Sequence, residues 1–557
     1  MRELTLLSLL FLCACASTAP PAAYDLVIRN GRLLDGSGGE AVSGDLAITS
    51  DRIAAVGRVD GGGRREIDAH GLVIAPGFIN VMSQAQESLI ADGRGMSDTR
   101  QGVTTEIFGE GESMGPLTPT MKKELLEQQS DIKYPVEWTT LRQYLDWLVQ
   151  RKVTPNVGSF LGAATPRVHV LGRDNRAPSS AELGQMSDLV RQAMHEGAFG
   201  VASALIYAPG TYASTSELTE LSKAAGESGG MYISHLRSEG DRLVEAVDEL
   251  VTIAREANVP AEIYHLKAGG QSNWPKMDEV IRHVEAARAA GLRITADMYT
   301  YTAGATGLDA SMPTWVQAGG YEAWRKRLMD PAVRARVLAE MRAPSDPWEN
   351  LMRLAGSPDR VLLVGFKNEK LKPLTGKTLA EVARLRGTTP EDTAIDLVIE
   401  DGTRVSTIYF LMSDDNLRKQ IRQPWVSFGS DAESSAPEGV FLQSSTHPRA
   451  FGNFANLLGK YVREEKLIPL AEAVRRLTSL PAANLGIEGR GLLKPGYFAD
   501  VVVFDPATVA AHSTYEKPFQ YATGVTSVLV NGVEVLRDGE HTGATPGRVV
   551  VRAAKTR

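Results

Sequence analysis

The chain has 557 residues, 43% of them hydrophobic and 23% charged, a composition typical of a water-soluble protein with one large domain and a smaller one. Its net charge of −7 arises from acidic and basic residues that are mixed along the chain. This distribution excludes the basic stripe of a nucleic-acid-binding protein, so no nucleic-acid partner is expected.

The N-terminus has the pattern of an export signal over residues 1–20. Arg2 precedes an apolar run, residues 4–12, that is too short to cross a bilayer and is followed by small residues. The stretch "LCAC" is similar to a bacterial lipobox, which predicts Cys15 as a lipidated residue and a periplasm-facing lipoprotein. Cleavage near Ala16 would instead give a soluble periplasmic protein, so contact with a membrane is expected only through the lipid anchor.

Both cysteines of the chain lie inside this signal. The exported part therefore has no disulfide and no thiol for catalysis or for metal binding. Any metal site must be built from imidazoles and carboxylates.

Residues 24–75 alternate apolar and polar positions in short runs separated by Gly and Asp, as in "YDLVIRNGRLLDG", which predicts antiparallel strands. The same pattern returns over residues 486–557 in "TSVLVNGVEVLRDGE". We expect the two ends of the chain to form one small β-sandwich domain.

Residues 76–485 alternate short apolar runs with helical stretches, which predicts parallel strands joined by helices. A (β/α)8 TIM barrel is expected rather than an open doubly wound sheet, because the glycine-rich phosphate motif of that fold is absent from the sequence. Residues from about 305 to 405 break the rhythm and are interpreted as an insertion over the barrel mouth.

Three histidines stand at or near strand ends, His235 in "YISHLRSEGD", His265 in "IYHLKAGG" and His447 in "THPRAFG". A single histidine at such a position is at least as often a structural residue. Two of them at the ends of successive barrel strands lie close enough to share an ion. A catalytic zinc ion needs a third ligand, and a carboxylate must supply it here.

The stretch "TTEIFGEGESMG" offers Glu106, Glu110 and Glu112. Glu110 follows a predicted strand within a glycine-rich turn, although a glutamate in a loop is more often simply solvated. Asp431 ends the last predicted barrel strand, where it could act as a general base or as the N-cap of a helix.

Taken together, "YDLVIRNGRLLDGSG", "APGFI", "QGVTTEIFGEG", "ISHLRSEGD", "IYHLKAGG", "SFGSDA", "HPRAFGNF" and "GLLKPGYFADVVVFDP" resemble the N-acyl-D-amino-acid deacylases (D-aminoacylases) of the amidohydrolase superfamily. The resemblance runs from about residue 24 to residue 550. It implies the barrel and the terminal β-domain, a zinc ion on His235 and His265, and Asp431 as the catalytic acid and base. It also implies that Lys267, Arg449 and either Tyr299 or Tyr301 bind the substrate carboxylate.

Two departures from this family matter. Its His-x-His motif after "PGFID" is replaced by Met82, Ser83 and Gln84, with Asn80 in place of Asp. Gly111 stands where the family has a zinc-binding cysteine, and Glu110 precedes it, so we expect Glu110 to replace the thiolate. The expected enzyme holds about one zinc ion per chain on Glu110, His235 and His265.

The expected reaction is hydrolysis of the amide bond of an N-acyl-D-amino acid by zinc-activated water, with Asp431 accepting and returning the proton. Hydrolysis of a small peptide or a cyclic amide is an alternative within the same fold. A non-catalytic, lipid-anchored binding protein is the alternative from another functional class, and the loss of the His-x-His motif favours it.

Overall fold

Both ends of the chain contribute strands to one nine-stranded sheet in the computed structural model, which describes residues 22–344 and 348–553. The strands of this terminal sheet are Tyr24–Leu33, Val42–Thr49, Arg52–Gly57, Gly63–Asp68, Val73–Pro76, Val501–Phe504, Val525–Val530, Val533–Arg537 and Glu540–His541. The predicted export signal, residues 1–20 with Cys15, lies outside the described residues.

The two ends meet where Val73–Pro76 pairs antiparallel with Val501–Phe504, with Val502 opposite Ala75. Apolar side chains of both strands are buried, including Ile74 and Val503 in one shared cluster. Their removal from water stabilises the pairing. The predicted β-domain built from both ends of the chain is thereby confirmed.

Parallel strands alternate with helices between the two halves of the terminal sheet. In the described part of the chain the barrel strands are Phe78–Asn80, Val103–Phe108, Asn156–Ser159 with its extension Leu161–Gly162, Gly200–Ala204, Met231–His235, Ala261–Ile263, Ile294–Met298 and Val426–Phe428. The strand Met231–His235 is buried along its whole length, as expected for a strand covered on both faces. The predicted α/β fold, in which parallel barrel strands alternate with helices, is confirmed, with the strands paired in two sheets.

Backbone pairing divides the barrel wall into two sheets. Phe78–Asn80, Val103–Phe108 and Asn156–Ser159 form one, and the remaining strands form the other. Just beyond the first and last strands, Ser83 and Ala432 form a parallel bridge. The carboxyl ends of the first and last strands therefore lie side by side.

The α-helices cover the outside of the barrel and fill its connections. Their bounds are Ser88–Ala91, Met96–Thr99, Pro119–Gln128, Leu141–Gln150, Ala164–Leu171, Ser180–His195, Thr215–Glu227, Leu243–Ala257, Met277–Ala289, Tyr321–Met329, Pro331–Met341, Leu351–Ala355, Leu379–Arg386, Pro390–Asp401, Asp414–Ile421, Arg449–Asn456, Leu470–Leu477 and Ser479–Leu485. A π-helical segment covers Leu457–Glu464. Short 3₁₀ segments are Gly210–Tyr212, Gln271–Lys276, Leu308–Ser311, Thr314–Gln317, Pro358–Arg360, Lys372–Leu374 and Gly439–Gln443.

The helix Leu243–Ala257 shows why these segments are helical. Its buried residues include Leu243, Val247, Leu250 and Ala254, which recur every three or four positions and so form one apolar stripe against the barrel. The helix ends at Asn258, whose φ of 53° places it in the left-handed region that stops a helix. Among the described residues, none of the helices combines the length and apolar character needed to cross a bilayer.

The segment between the seventh and eighth barrel strands departs from the barrel pattern. Gly304–Gly307, Val361–Gly365 and Ser406–Tyr409 form a small antiparallel sheet, with helices packed beside it. Residues of this segment, among them Thr306, Trp324 and Arg404, line the cavity that opens over the carboxyl ends of the barrel strands. The segment therefore shapes the entrance to the barrel.

Candidate active site

A cavity of about 760 Å³ lies at the carboxyl ends of the barrel strands. Its wall includes His235, His265, Glu110, Asp431 and Arg449. These residues come from widely separated parts of the sequence, and the barrel brings them together at the edge where active sites of this fold are found.

Three side chains meet at one point of the cavity wall: Glu110, His235 and His265. We call them the Glu–His cluster. Glu110 Oε1 lies 3.1 Å from His235 Nδ1 and 3.2 Å from His265 Nε2. One ligand atom from each residue lies within 4.8 Å of the other two. A tetrahedral zinc ion with bonds of about 2.0–2.3 Å separates its ligands by roughly 3.3–3.7 Å, so the donor types and spacing of the cluster fit such an ion.

Local backbone geometry explains how each ligand reaches the cluster. His235 is the last residue of its strand. His265 follows Ala261–Ile263 with a φ of 35°, and its backbone N–H donates to Asp297 Oδ1 at 2.7 Å. This hydrogen bond stabilises a backbone conformation that residues other than glycine rarely adopt.

Glu110 is placed by the glycines on both sides. Gly111 has a φ of +69°, and a Cβ atom there would lie 2.8 Å from the Cβ of Ala204. A cysteine at position 111 would therefore require the neighbouring strand to move. Glu110 reaches the histidines with a longer side chain from one residue earlier.

The other two glutamates of the same stretch have different partners. Glu112 pairs with Arg173 Nη1 at 2.8 Å. Glu106 is buried and accepts a hydrogen bond from Ser83 Oγ at 2.7 Å. Of the three candidates, only Glu110 belongs to the group that could hold a metal ion among the described residues.

The two imidazoles differ in protonation when no ion is bound. Burial lowers the pKa of His235 below its ordinary value. Burial and the Lys267 ammonium oppose the charged form of His265, yet the carboxylates of Glu239 and Glu110 raise the pKa of His265 to about 10. Zinc and a proton compete for the same His265 nitrogen, so zinc binding there depends on pH.

Asp431 lies beside the Glu–His cluster, because one Gln84 amide nitrogen contacts both Glu110 and Asp431. Its φ is 47°, and its backbone N–H donates to Met82 O at 2.8 Å. Arg449 Nη1 lies 2.8 Å from Asp431 Oδ2, and the Arg449 guanidinium lies over the Tyr299 ring, 4.4 Å from its centroid. Asp431 is not the cap of a helix in the structure, which removes that alternative.

Lys267 lines the cavity, but its ammonium faces protein groups. Lys267 Nζ lies 2.6 Å from Glu239 Oε1 and 2.6 Å from His265 Nδ1. Glu239 Oε1 is also 3.0 Å from His265 Nδ1. The ammonium of Lys267 therefore lies beside Glu239 and His265 at the cavity wall, and its predicted contact with the substrate carboxylate stays a prediction.

The alternative between Tyr299 and Tyr301 is decided by position. Tyr299 lines the cavity, whereas the Tyr301 hydroxyl lies 3.3 Å from Ser513 Oγ behind the cavity wall. His447, the third candidate histidine, is buried, with Nε2 3.0 Å from Ala303 O and Nδ1 accepting from the Arg449 N–H. It is a hydrogen-bonded structural residue.

Three residues of the site were missed by the sequence reasoning. Glu239 contacts His265, and the ring of Tyr207 packs edge-on against His235 with centroids 5.2 Å apart. Gln84 Nε2 donates to Glu110 Oε2 at 2.7 Å. Glu239 could have been found from its spacing of four residues after His235, but nothing in the sequence indicates where Gln84 points.

Comparison with known proteins identifies relatives along nearly the whole chain. Residues 273–536 match the sequence profile of the Amidohydrolase family. The chain is 33% identical to a D-aminoacylase from Alcaligenes xylosoxydans xylosoxydans over 536 residues, which cover 95% of this chain and 98% of the relative.

Two solved structures share the fold. An N-acyl-D-glutamate deacylase from Bordetella bronchiseptica, complexed with zinc and a phosphonate mimic of the tetrahedral intermediate, has a TM-score of 0.78 at 29% identity. A D-aminoacylase with a binuclear metal centre, activated by one metal and attenuated by a second, has a TM-score of 0.79 at 31% identity. Each match covers 95% of this chain and 100% of the solved chain.

Proposed function

This chain belongs to the D-aminoacylase family of amidohydrolases, enzymes that hydrolyse carbon–nitrogen bonds, and from that premise we propose that it deacylates N-acyl-D-amino acids with about one zinc ion per chain. The observation that carries the proposal is the convergence of the Glu–His cluster, Asp431 and Arg449 on a single cavity. Hydrolysis of an N-acyl amino acid requires a set of metal ligands, a general base and a group that binds the substrate carboxylate.

Glu110, His235 and His265 would hold the ion. When bound there, zinc supplies Lewis acidity, which polarises a carbonyl group and makes water a stronger acid. Glu239 supports the ligand set, because its carboxylate 3.0 Å from His265 Nδ1 directs His265 Nε2 toward Glu110.

Asp431 is the residue placed to move the proton. It accepts a proton from the attacking water and returns it to the leaving amine, as a general base and then a general acid. Its Oδ2 forms an ion pair with Arg449 Nη1 at 2.8 Å that lacks hydrogen-bond geometry, and its Oδ1 accepts a long hydrogen bond from Gln84 Nε2 at 3.4 Å. Fixing the carboxylate before substrate binds reduces the reorganisation that the reaction requires.

Arg449 is the residue placed to bind the substrate carboxylate. Its side chain is buried, and Nε has no hydrogen-bond partner among the residues that the structure describes. A buried guanidinium N–H without an acceptor is costly, and a ligand carboxylate would satisfy it with a charge-assisted hydrogen bond. Tyr299 beneath the guanidinium holds its plane in position.

We also propose that the chain is exported and anchored through Cys15. The support is the sequence alone: a short apolar run after Arg2, followed by "LCAC". Labelling with a lipid precursor, lost in a Cys15→Ser variant, would test the anchor.

The experiment for the activity uses the zinc-loaded chain with N-acetyl-D-amino acids, their L-enantiomers, a dipeptide and a hydantoin. We expect release of the D-amino acid, with turnover of the L-enantiomers at least about a hundredfold slower. Asp431→Asn should lower kcat by roughly 10²–10⁴-fold while keeping zinc, because it removes the base and not a ligand.

Each other outcome has a definite meaning. Turnover of only the dipeptide or the hydantoin would replace the proposed substrate class. An Asp431→Asn variant as active as the parent would remove Asp431 from the reaction. Zinc-loaded protein that binds an N-acyl-D-amino acid and never releases product would establish a binding protein.

A further inference from the structure

Four polar residues near the carboxyl end of the first barrel strand are partly hydrogen-bonded to one another, whereas Asp98 Oδ1 and Glu106 Oε1 have no hydrogen-bond partner among the residues that the structure describes. Asn80 Nδ2 donates to Asp98 Oδ2 at 2.8 Å, and Ser83 Oγ donates to Glu106 Oε2 at 2.7 Å. Asn80, Ser83, Asp98 and Glu106, which we call the polar cluster, are all buried. Met82 is buried as well and belongs to an apolar cluster with Ile79 and Tyr264.

Neither Met82 nor the polar cluster presents an imidazole for a second metal ion. Met82 packs in an apolar cluster and offers no nitrogen ligand. A cation between Glu110 and Asp431 would therefore lack the neutral nitrogen ligands that hold it. The residues present do not fit a second ion.

Gln84 occupies that space with a hydrogen-bond donor. Its Nε2 lies 2.7 Å from Glu110 Oε2 and 3.4 Å from Asp431 Oδ1. Both partners are acceptors when ionised, which fixes the amide with its nitrogen toward them. Two carboxylates facing one another repel, and a donor shared between them offsets part of that repulsion.

We propose that the Gln84 carboxamide replaces a second metal ion, so that the chain binds a single zinc ion and excess zinc does not attenuate its activity. The inference rests on the proposed function and adds Gln84 to it as a positioning residue. Gln84 holds Glu110 by the oxygen that does not face the histidines and holds Asp431 by the oxygen that does not face Arg449. Its partially positive N–H group is fixed in place and, unlike an ion, does not dissociate.

The contacts of Gln84 also affect the orientation of Asp431 separately from the affinity for the substrate. Arg449 and Gln84 each take one oxygen of Asp431, so the carboxylate cannot rotate freely about its last bond. Loss of the Gln84 donor would keep the three zinc ligands but remove one support of Glu110, which should lower zinc affinity by about 10–100-fold, and it would loosen Asp431. The expected consequence is a lower kcat with little change in KM, because the substrate anchor Arg449 is untouched.

The first test measures metal stoichiometry. The full chain is stripped with a chelator, titrated with zinc, and followed by elemental mass spectrometry and native mass spectrometry. We expect a plateau at about one zinc ion per chain for the wild type and about two for a Met82→His, Gln84→His variant. A wild-type plateau at two ions would overturn the proposal, and this reading does not depend on activity.

The second test measures turnover against zinc concentration. Between about one and one hundred equivalents of zinc, wild-type kcat should change by less than about twofold, whereas the double histidine variant should lose activity as its second site fills. A fall in wild-type turnover that follows the binding of further zinc would contradict the inference. Failure of turnover at every zinc level would count against the proposed function and leave the stoichiometry result intact.

The Gln84→Met variant isolates the donor, because methionine has a similar length and no N–H group. Its zinc content should stay at about one ion per chain, with kcat roughly tenfold to a hundredfold lower and KM nearly unchanged. Gln192→Met is the matched control, since Gln192 is exposed on the helix Ser180–His195 and its side chain donates to Glu196 Oε1 at 2.8 Å. Equal kinetics for Gln84→Met and the wild type would remove Gln84 from a positioning role.

Discussion

The Glu–His cluster and the polar cluster lie at the same end of one barrel. They differ in which groups contact their carboxylates. In the Glu–His cluster two ring nitrogens converge on one carboxylate at 3.1 and 3.2 Å. In the polar cluster, an amide donor and a hydroxyl donor each bind one oxygen of Asp98 and of Glu106, and the second oxygen of each carboxyl group has no partner among the described residues. The first arrangement suits a cation, and the second has replaced one by hydrogen bonds.

The comparison shows that carboxylates alone do not make a metal site. Both clusters contain carboxylates, fully buried in the polar cluster and partly buried at Glu110, yet imidazole ligands are present only in the Glu–His cluster. Zinc prefers imidazole and carboxylate ligands together. A barrel can therefore lose a metal position by exchanging its histidines while it keeps its acidic residues.

Removal of His235 and His265 should have the largest effect, because it removes the imidazole ligands that distinguish the Glu–His cluster from the polar cluster. A His235→Ala, His265→Ala variant should lose its zinc and at least about 10⁴-fold in kcat, because the Lewis acid and its ligands are gone. Zinc content by elemental mass spectrometry and turnover of an N-acetyl-D-amino acid check this.

His283→Ala is the matched control for that variant. His283 lies on a helix and pairs with Asp248 at 2.8 Å, away from the cavity. It should keep zinc and activity. Zinc retained at full occupancy by the double variant would mean that other residues hold the ion.

Glu110→Gln should have a smaller effect on the same cluster. Residues that only orient metal ligands change affinity by about 10–100-fold, so loss of a ligand should weaken zinc binding by at least about a hundredfold. Competition with a chelator measures this. Glu112→Gln is the control, because Glu112 pairs with Arg173 at 2.8 Å, and an equal loss of affinity in both variants would refute the assignment of Glu110.

The smallest expected effect concerns pH and the polar cluster. Burial raises the pKa of Asp98 to about 7, although a hydrogen bond from Asn80 opposes the shift. The folded state therefore binds a proton that the unfolded state, with a pKa of about 4, has already released. The stability that this contributes is complete below about pH 4 and is lost as pH rises through about 7.

Urea denaturation at pH 5 and pH 8 measures that effect. The wild type should lose about 2–3 kcal/mol more unfolding free energy over this interval than Asp98→Asn does, because asparagine does not titrate. A fall of the same size in both proteins would show that other buried carboxyl groups account for the pH dependence. The variant should keep its zinc, since Asp98 is not in the Glu–His cluster.

The sequence predicts strand ends well and side-chain partners poorly. His235 and His265 could be paired because each follows a strong apolar run, and parallel strands align their carboxyl ends. Lys267 was assigned to the substrate carboxylate from the family resemblance alone, and its contact with Glu239 depends on a loop that no periodic pattern describes. The sequence shows only that Gln84 replaces a histidine of the family motif. It does not show the partners of Gln84, because the two carboxylates that it contacts are 26 and 347 residues away.

The pairing of Val73–Pro76 with Val501–Phe504 also constrains how the chain folds. These strands are more than 400 residues apart, so the protein has a contact of very high sequence separation at the base of its barrel. During synthesis Val73–Pro76 lacks this neighbour until nearly the whole chain has been made, and it presents an unpaired apolar edge in the meantime. Because the first barrel strand begins two residues after Pro76, docking of the last strands fixes the segment that carries Gln84, and the catalytic geometry is completed late in folding.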